Sequence, residues 1–368
     1  MKRGKNITRR KFFKTVGVGA TASVISTTVL LNASRAKAQE EWRMAAVWAN
    51  PPPELELFAQ MVSDGTNGNL KIKIVNAAEI GPVTETIDTV GKGKVEMGHG
   101  SPAYWAGRVP ALVFLTLTPF GLTAQEQNAW FKFAGGQQLA DKIYADLGCK
   151  FFLCGNSGAQ MGGWFKNEIN SIADLKGIKM RIGGYGGAVM KFLGVELVKL
   201  PYSGEAIGQA LKDGKIEAAE WMGPAADMDA GLYEHAKFYY YPAWHEPSAA
   251  MDLLINKAKW EALPSEYKVI IRMAADSANN RILCHNCEQN SAALSKLVNE
   301  HNVQLREYSS EMLLKFRQIS DKILQGQASK DNLTQEVLNS ILQFQKSAIG
   351  WSQVSLQSFL NARNKGQV

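Results

Sequence analysis

The chain has 368 residues, 46% of them apolar and 20% charged, a globular balance that leaves room for two or three domains and excludes a disordered or fibrous protein. The formal charge of +7 comes from one end: residues 1–38 hold nine Lys or Arg and no Asp or Glu, and the remainder has 32 basic against 34 acidic residues. A remainder at net −2 has no electrostatic footprint for nucleic acid, so that partner class is excluded.

Residues 1–38 read as an export signal. Thr8-Arg9-Arg10-Lys11-Phe12-Phe13-Lys14 is a charged start, Val16 to Leu31 a weakly hydrophobic middle, and Ala36-Lys37-Ala38 a small-x-small cleavage site. The paired arginines before two phenylalanines resemble the twin-arginine signal, which carries folded proteins across the bacterial inner membrane. A membrane anchor is the competing reading. The apolar run is ~16 residues and diluted by Gly, Ala, Ser and Thr, short of the ~20 that a span needs. The expectation is a soluble periplasmic protein starting near Gln39, with no cysteine placed there for a lipid anchor.

In the mature part, Trp42 to Trp48 reads as a strand, Glu54 to Ser63 as a helix, and Leu70 to Val75 as a second strand after the turn Asn67-Gly68-Asn69. A helix end at Ile87 to Gly91 and a short strand at Val95 to Gly100 follow. Strand, helix and strand at this spacing imply βαβ units and a parallel sheet. Cys149 to Cys154 is the next strand. A separation of five points these two thiols to opposite faces, ~16 Å apart, so they cannot bridge each other. The pattern returns between Gly163 and Leu200, with Trp164-Phe165, a helical turn at Ser171 to Leu175, Ile178 to Ile182, a helix, and Leu197 to Leu200.

Two such blocks predict an α/β fold of two lobes with a cleft between them. From Ser265 onward the period is helical and no proline follows Pro264, a tail suited to covering one lobe or pairing with a second subunit. Within it Cys284-His285-Asn286-Cys287 has redox spacing, but it lies in a helical pattern and lacks the His that follows a c-type haem motif. Buried thiols or a helix-borne disulfide are expected there. The predicted division is 39–158 plus 222–248 as lobe I, 159–221 plus 249–300 as lobe II, and 301–368 as C-terminal helices for cover or dimerisation.

The usual enzyme signatures are missing: there is no Gly-x-Ser-x-Gly, no His-Glu-x-x-His and no Walker loop, and the five histidines are scattered. The polar residues suit the holding of a small anion instead. Arg181 stands at a strand end before Gly183-Gly184-Tyr185-Gly186-Gly187, which opens a helix; its planar fork matches a carboxylate at two points, and free N–H groups at the helix start would add to anion affinity. The other reading is an exposed structural arginine. Glu220 ends the apolar stretch Ile216 to Ala219, where it either ligates a hard cation, faces a ligand or sits on a solvated edge. Trp48, Tyr104 and Trp105 wall a pocket or belong to the core. Gln160 and His245-Glu246-Pro247 are single polar points.

Taken together, four segments resemble a known family: Gly98-His99-Gly100-Ser101-Pro102-Ala103-Tyr104-Trp105, Gly163-Trp164-Phe165-Lys166-Asn167-Glu168-Ile169, Asp174-Leu175-Lys176-Gly177-Ile178-Lys179-Met180-Arg181 and Ala218-Ala219-Glu220-Trp221. The set is similar to the solute-binding proteins of tripartite ATP-independent periplasmic (TRAP) transporters, in the branch that binds 2-oxo acids such as pyruvate and the related lactate binders. The resemblance implies a clamshell with parallel-rich sheets, hinge strands and a long helical C-terminal tail, and no catalysis. It implies that Arg181 forms a salt bridge with the substrate carboxylate, that Tyr104 and Gln160 touch the substrate and that Trp105 lines the pocket. It also implies a bridging Na⁺ or Ca²⁺ held by the side chains of Gln160 and Glu220 and the backbone carbonyl of Trp221. The implied partners are a small carboxylate, the membrane permease subunits and a second copy of the chain. The glycine cluster, Met222-Gly223-Pro224 and His245-Glu246-Pro247 depart from the family pattern, at positions that would shape the distal pocket. The rival is a twin-arginine-exported periplasmic oxidoreductase. An unliganded Arg181 is expected to be hydrated.

Overall fold

Strand Glu40–Ala46 (β1) places Trp42, Met44 and Ala46 in one apolar core and Ala45 in another, so it is buried on both faces. That is the signature of a sheet with helices on each side. In the computed structural model, which describes residues 39–365, β1 is joined by Leu70–Asn76 (β2), Met97–Gly100 (β3) and Cys149–Asn156 (β4). The export signal read from residues 1–38 lies outside the described residues. Further strands are Gly163–Phe165 (β5), Lys179–Arg181 (β6), Glu196–Leu197 (β7), Ala218–Ala219 (β8), Phe238–Tyr241 (β9), Ala250–Asn256 (β10) and Gln304–Glu307 (β11). They form two sheets, of order β2-β1-β3-β10-β4 and β11-β9-β5-β8-β6-β7. In the first, β1 runs parallel to β2 and β3, while β10 is antiparallel to both its neighbours. In the second, β6 pairs in parallel with β7 and β8, and β11 with β9.

Helices close both faces of each sheet. On one face of the first, Leu55, Phe58 and Val62 of helix Glu54–Gly65 pack with Ile271, Ala274 and Ala278 of the long helix Ser265–Asn299. On the other, Trp130, Ile143 and Tyr144 meet Val337, Leu338 and Ile341 of helix Asn332–Ser352. β4 shows the alternation directly: Cys149 and Leu153 belong to one core and Cys154 to the other, both as free buried thiols. In the second lobe Trp164, Ala219 and Tyr239 face Ile207 and Leu211, and Phe165, Met180 and Tyr240 face Val189 and Phe316.

The lobe boundaries differ from the predicted ones. β9, inside 222–248, lies in the second sheet, and β10, inside 249–300, is an inner strand of the first. The reason is burial: Ala250-Met251-Asp252-Leu253-Leu254-Ile255-Asn256 is buried at every position and fits only the interior of a sheet, between β3 and β4. Nor is 301–368 purely helical, since β11 forms an edge of the second sheet. Cys284 and Cys287 are free and exposed on the long helix rather than buried or bridged.

The chain crosses between the sheets at 157–162 and at 242–249, and helix Ser265–Asn299 is fastened to the end of β4, where the first crossing begins, and to the second lobe. Its Asn279 Oδ1 accepts from the Gly155 amide at 3.1 Å, Asn286 donates to the Asn156 carbonyl at 3.2 Å, and Asn290 Oδ1 accepts from the Ala225 amide at 3.0 Å. Among the described residues, no helix is long and apolar enough to cross a membrane.

Candidate functional site

A cavity of about 560 Å³ lies where the crossings meet the strand ends, with Trp48 and Tyr104 from the first lobe, Gln160 from a crossing and Arg181, Glu220 and Trp221 from the second. β6 and β8 build its floor. Their register sets Arg181 against Ala219, and the Glu220 amide donates to the Arg181 carbonyl at 2.9 Å, so the two charged side chains leave the sheet side by side. Arg181 Nη1 donates to Glu220 Oε2 at 3.0 Å and also to the Glu220 carbonyl. The guanidinium lies over the rings of Tyr202 and Trp221, at 5.3 and 5.2 Å. Arg181 is 7% exposed and Glu220 2%, which corrects the expectation of a hydrated arginine. Among the described residues the Nε and Nη2 edge has no hydrogen-bond partner, and it is this edge that offers a two-point fork.

Beside this pair several acceptors are left unused. Glu220 Oε1 and Gln160 Oε1 are buried and accept no hydrogen bond among the described residues. His245 Nε2 lies 3.6 Å from Glu220 Oε1, too far for a hydrogen bond, and both its ring nitrogens lack partners. Desolvation lowers the His245 imidazole, but Glu220 and Glu246 outweigh it and the net direction is upward. Desolvation, with the negative charge of Glu220 next, pushes the Glu246 carboxyl up to about 7.

The peptide after Trp221 is fixed from behind. Its Met222 amide donates to Asp227 Oδ1 at 3.0 Å, and Asp227 Oδ2 accepts from Trp164 Nε1 at 2.8 Å and the Tyr239 hydroxyl at 2.7 Å. A trans peptide points its C=O opposite to its N–H, so the Trp221 carbonyl is turned away from Asp227. The unpaired carboxylate oxygen of Glu220 and amide oxygen of Gln160 are donors that suit a hard cation such as Na⁺ or Ca²⁺.

The first-lobe wall is held by a histidine. His99 Nε2 lies 3.0 Å from the Cys154 carbonyl, which only accepts, so Nε2 carries the proton and Nδ1 accepts from Trp48 Nε1 at 2.8 Å. Burial lowers His99 to about 4 and keeps it neutral. Trp48 meets Tyr104 edge-on at 6.0 Å, and Tyr104 meets Tyr202 of the other lobe at 5.5 Å.

Of the six residues singled out from the sequence, Arg181, Glu220, Gln160, Trp221 and Tyr104 converge on the cavity and Trp105 does not. Trp105 is fully buried behind the wall, against the Gly100 backbone, with Nε1 donating to Asp252 Oδ2 at 2.7 Å. In the tight turn Pro102–Trp105 successive side chains point ~120° apart, so Tyr104 and Trp105 cannot share a face. The glycine cluster also has a packing role: a Cβ on Gly186 would stand 2.8 Å from His245 Cβ, so the helix Gly184–Phe192 comes this close only without one. Sequence reasoning missed Tyr202, Asp227 and the partnership of His99 with Trp48, none of which carries a local motif.

Residues 52–331 match the family of bacterial extracellular solute-binding proteins, family 7. The chain belongs to that family. It is 39% identical, over 98% of its length and 100% of the relative's, to a monocarboxylate 2-oxoacid-binding periplasmic protein of Nostoc. It is also similar to two solved TRAP periplasmic solute-binding proteins. One, from Colwellia psychrerythraea with bound calcium and pyruvate, has a TM-score of 0.83 and 34% identity, covering 88% of this chain and 99% of that one. The other, from Pseudoalteromonas atlantica with bound sodium and pyruvate, has a TM-score of 0.81 and 34% identity at the same coverage. These matches, together with the two sheets, establish the two-lobed α/β binding-protein fold with a long C-terminal helix.

Proposed function

We propose that this chain captures a small monocarboxylate between its lobes in the periplasm, after export through the twin-arginine route, and delivers it to the membrane permease of a TRAP transporter. The ligand class is a 2-oxo acid such as pyruvate or a 2-hydroxy acid such as lactate. The observation that carries the reading is Arg181: a buried guanidinium at the cavity floor, anchored through Nη1 with its remaining edge unpaired. A carboxylate that gives up its water needs such a charged, geometrically matched partner. A Na⁺ or Ca²⁺ ion held by Gln160, Glu220 and the Trp221 carbonyl would bridge protein and ligand, and relatives with bound pyruvate carry calcium or sodium. The role asks for binding and release, not chemistry, and nothing in the site favours the rival oxidoreductase.

Two lobes with ligand contacts on each favour closure only when both sets are made. Small-angle scattering with and without pyruvate tests this, and a smaller radius of gyration with ligand is expected. An unchanged profile at saturation would count against capture by closure. Dimerisation through the tail is part of the same proposal: Trp351, Val354 and Phe359 are exposed along the last helical turns. Sedimentation should report a dimer that becomes monomeric when the chain is cut before Ile349.

A further inference from the structure

The exposed cysteines Cys284 and Cys287 take no part in the function proposed above, yet their place in the fold is specific. Helix Ser265–Asn299 belongs to the cores of both lobes: Ile271, Ala274 and Ala278 pack in the first, and Leu297 packs with Trp164 and Tyr239 in the second. Between Ile282 and Ala293 the helix buries no residue. The two thiols fall in that bare stretch, one helical turn apart. Other side chains of the same stretch tie the lobes to the helix. His285 Nδ1 lies 2.8 Å from Glu54 Oε1, Asn286 donates to the Asn156 carbonyl at 3.2 Å, and Asn290 Oδ1 accepts from the Ala225 amide at 3.0 Å. We propose that Cys284 and Cys287 are a reversible oxidation site, and that a disulfide between them distorts the turn that joins the lobes and so weakens ligand capture. The effect on capture rests on the reading that a carboxylate is held between the lobes; the formation of the bond does not.

Helix geometry links the bond to the lobes. Residues three apart on a regular α-helix have Cα atoms ~5 Å apart, which suits a disulfide, but Cβ atoms ~5–6 Å apart, against the ~3.8 Å that the bridge requires. The turn 284–287 must therefore tighten towards the 3₁₀ form, in which side chains three apart eclipse. Over three residues this winds the helix by up to ~60° more, so the part held in the second lobe rotates against the part held in the first. Trp48 and Tyr104 line the cavity from one lobe, Arg181 and Trp221 from the other, and a ligand that needs both sets meets them misaligned. A strained, exposed disulfide is readily reduced, which makes the change reversible. The step needs a disulfide oxidant, the class that an oxidising compartment supplies. One cysteine thiolate attacks the oxidant's sulfur, forms a mixed disulfide and releases a thiolate. The second cysteine thiolate then attacks the cysteine sulfur of that mixed disulfide and expels the oxidant's other thiolate. Two cysteine thiols become one disulfide, one oxidant disulfide becomes two thiols, and the two protons pass to the expelled thiolates.

The test equilibrates the full-length mature protein in graded mixtures of oxidised and reduced glutathione, with and without pyruvate, and follows the thiols by alkylation, intact mass and peptide mapping. Parent, Cys284→Ser, Cys287→Ser and the double variant are compared. The parent should lose two alkylatable thiols together and gain one bridge between residues 284 and 287, and neither single variant should form an internal bridge. Oxidised parent should bind pyruvate about five-fold or more weakly than reduced parent and recover on treatment with dithiothreitol. The double variant should bind equally in both buffers. By reciprocity, pyruvate should disfavour the bridge in the parent by the same factor by which the bridge weakens pyruvate binding. No bridge in the most oxidising mixture overturns the proposal, as does a covalent dimer or a glutathione adduct in its place. A bridge that leaves pyruvate affinity unchanged overturns it too. A reduced parent that binds no pyruvate refutes the carboxylate reading instead. Small-angle scattering of bridged and reduced protein then decides the switch, and identical profiles overturn it.

Discussion

Arg181 Nη1 stands 3.0 Å from Glu220 Oε2, so the residue that would clamp an anion and the residue that would ligate a cation are each other's counter-ion. Both are buried, and neither can be removed without stranding the other. Ligand affinity and fold stability are therefore tied together at this one contact.

Arg181→Ala should consequently show two losses. Ligand affinity should fall about 30-fold or more, as truncating one partner of a buried charged pair costs ~2–5 kcal/mol. Stability to denaturant should fall by up to ~3–5 kcal/mol, because the Glu220 carboxylate is left desolvated and unpaired. Arg181→Lys keeps the charge but loses the fork and should lie between Ala and parent in both. Calorimetry with pyruvate and urea unfolding check the pair, and near-equal affinities would remove Arg181 from the binding site.

Glu220→Gln keeps shape and removes a negative oxygen. Carboxylate binding should weaken and lose its dependence on added Na⁺ or Ca²⁺. A variant that binds as tightly as the parent in metal-depleted buffer would show that no cation bridges protein and ligand.

Asp252 gives a pH prediction. It is fully buried, Oδ2 accepts from Trp105 Nε1 and the Tyr144 hydroxyl at 2.7 Å each, and Oδ1 has no partner among the described residues. Desolvation raises it from 3.8 to about 6. The folded state thus holds this proton more tightly than the unfolded state, so the stability it contributes is full below about pH 4 and is lost as the pH rises through about 6. Asp252→Asn can keep both bonds through its carbonyl oxygen and carries no charge. It should flatten the decline between pH 4 and 6 and be more stable than the parent at pH 8, by no more than about 3 kcal/mol. Thermal unfolding across this range decides it, and parallel profiles would refute the assignment.

The four cysteines should divide by reactivity. Cys284 and Cys287 are exposed, whereas Cys149 and Cys154 are buried, and burial pushes the Cys149 thiol up to about 12 and that of Cys154 higher still. A thiol-specific reagent added to reduced native protein should consume two equivalents quickly and the other two only on unfolding. Fast reaction at all four would mean that the first-lobe sheet opens readily.

The strands and helices of the first half were legible because their apolar spacing repeats on the period of the element, as in Leu70–Asn76 with its alternating burial at the start. Lobe membership was not, since nothing within residues 250–256 says which strands will flank it. β8 has only two residues and no period to read. Arg181, Glu220, Gln160 and Trp221, which line the cavity, were singled out through a family resemblance, while their own segments left structural readings open. Trp105 was assigned to the pocket only by the resemblance, while its own segment left pocket and core both open, and it is buried behind the wall. His245 and Glu246 stood out only as isolated polar points; their meeting with Glu220 exists in the folded chain alone.

The placement of β10 governs the order in which the molecule can assemble. A nascent chain that has not yet reached residue 256 has made β1 to β4 but lacks the strand between β3 and β4. Until it arrives, each of those strands presents an unpaired edge, the geometry on which neighbouring chains add to one another. Joining residues so distant in sequence makes loop closure the slow step, and acquisition of the native first lobe lags synthesis. Any truncation before Ala250 leaves that exposure permanent, so fragments ending there will aggregate where the full chain does not.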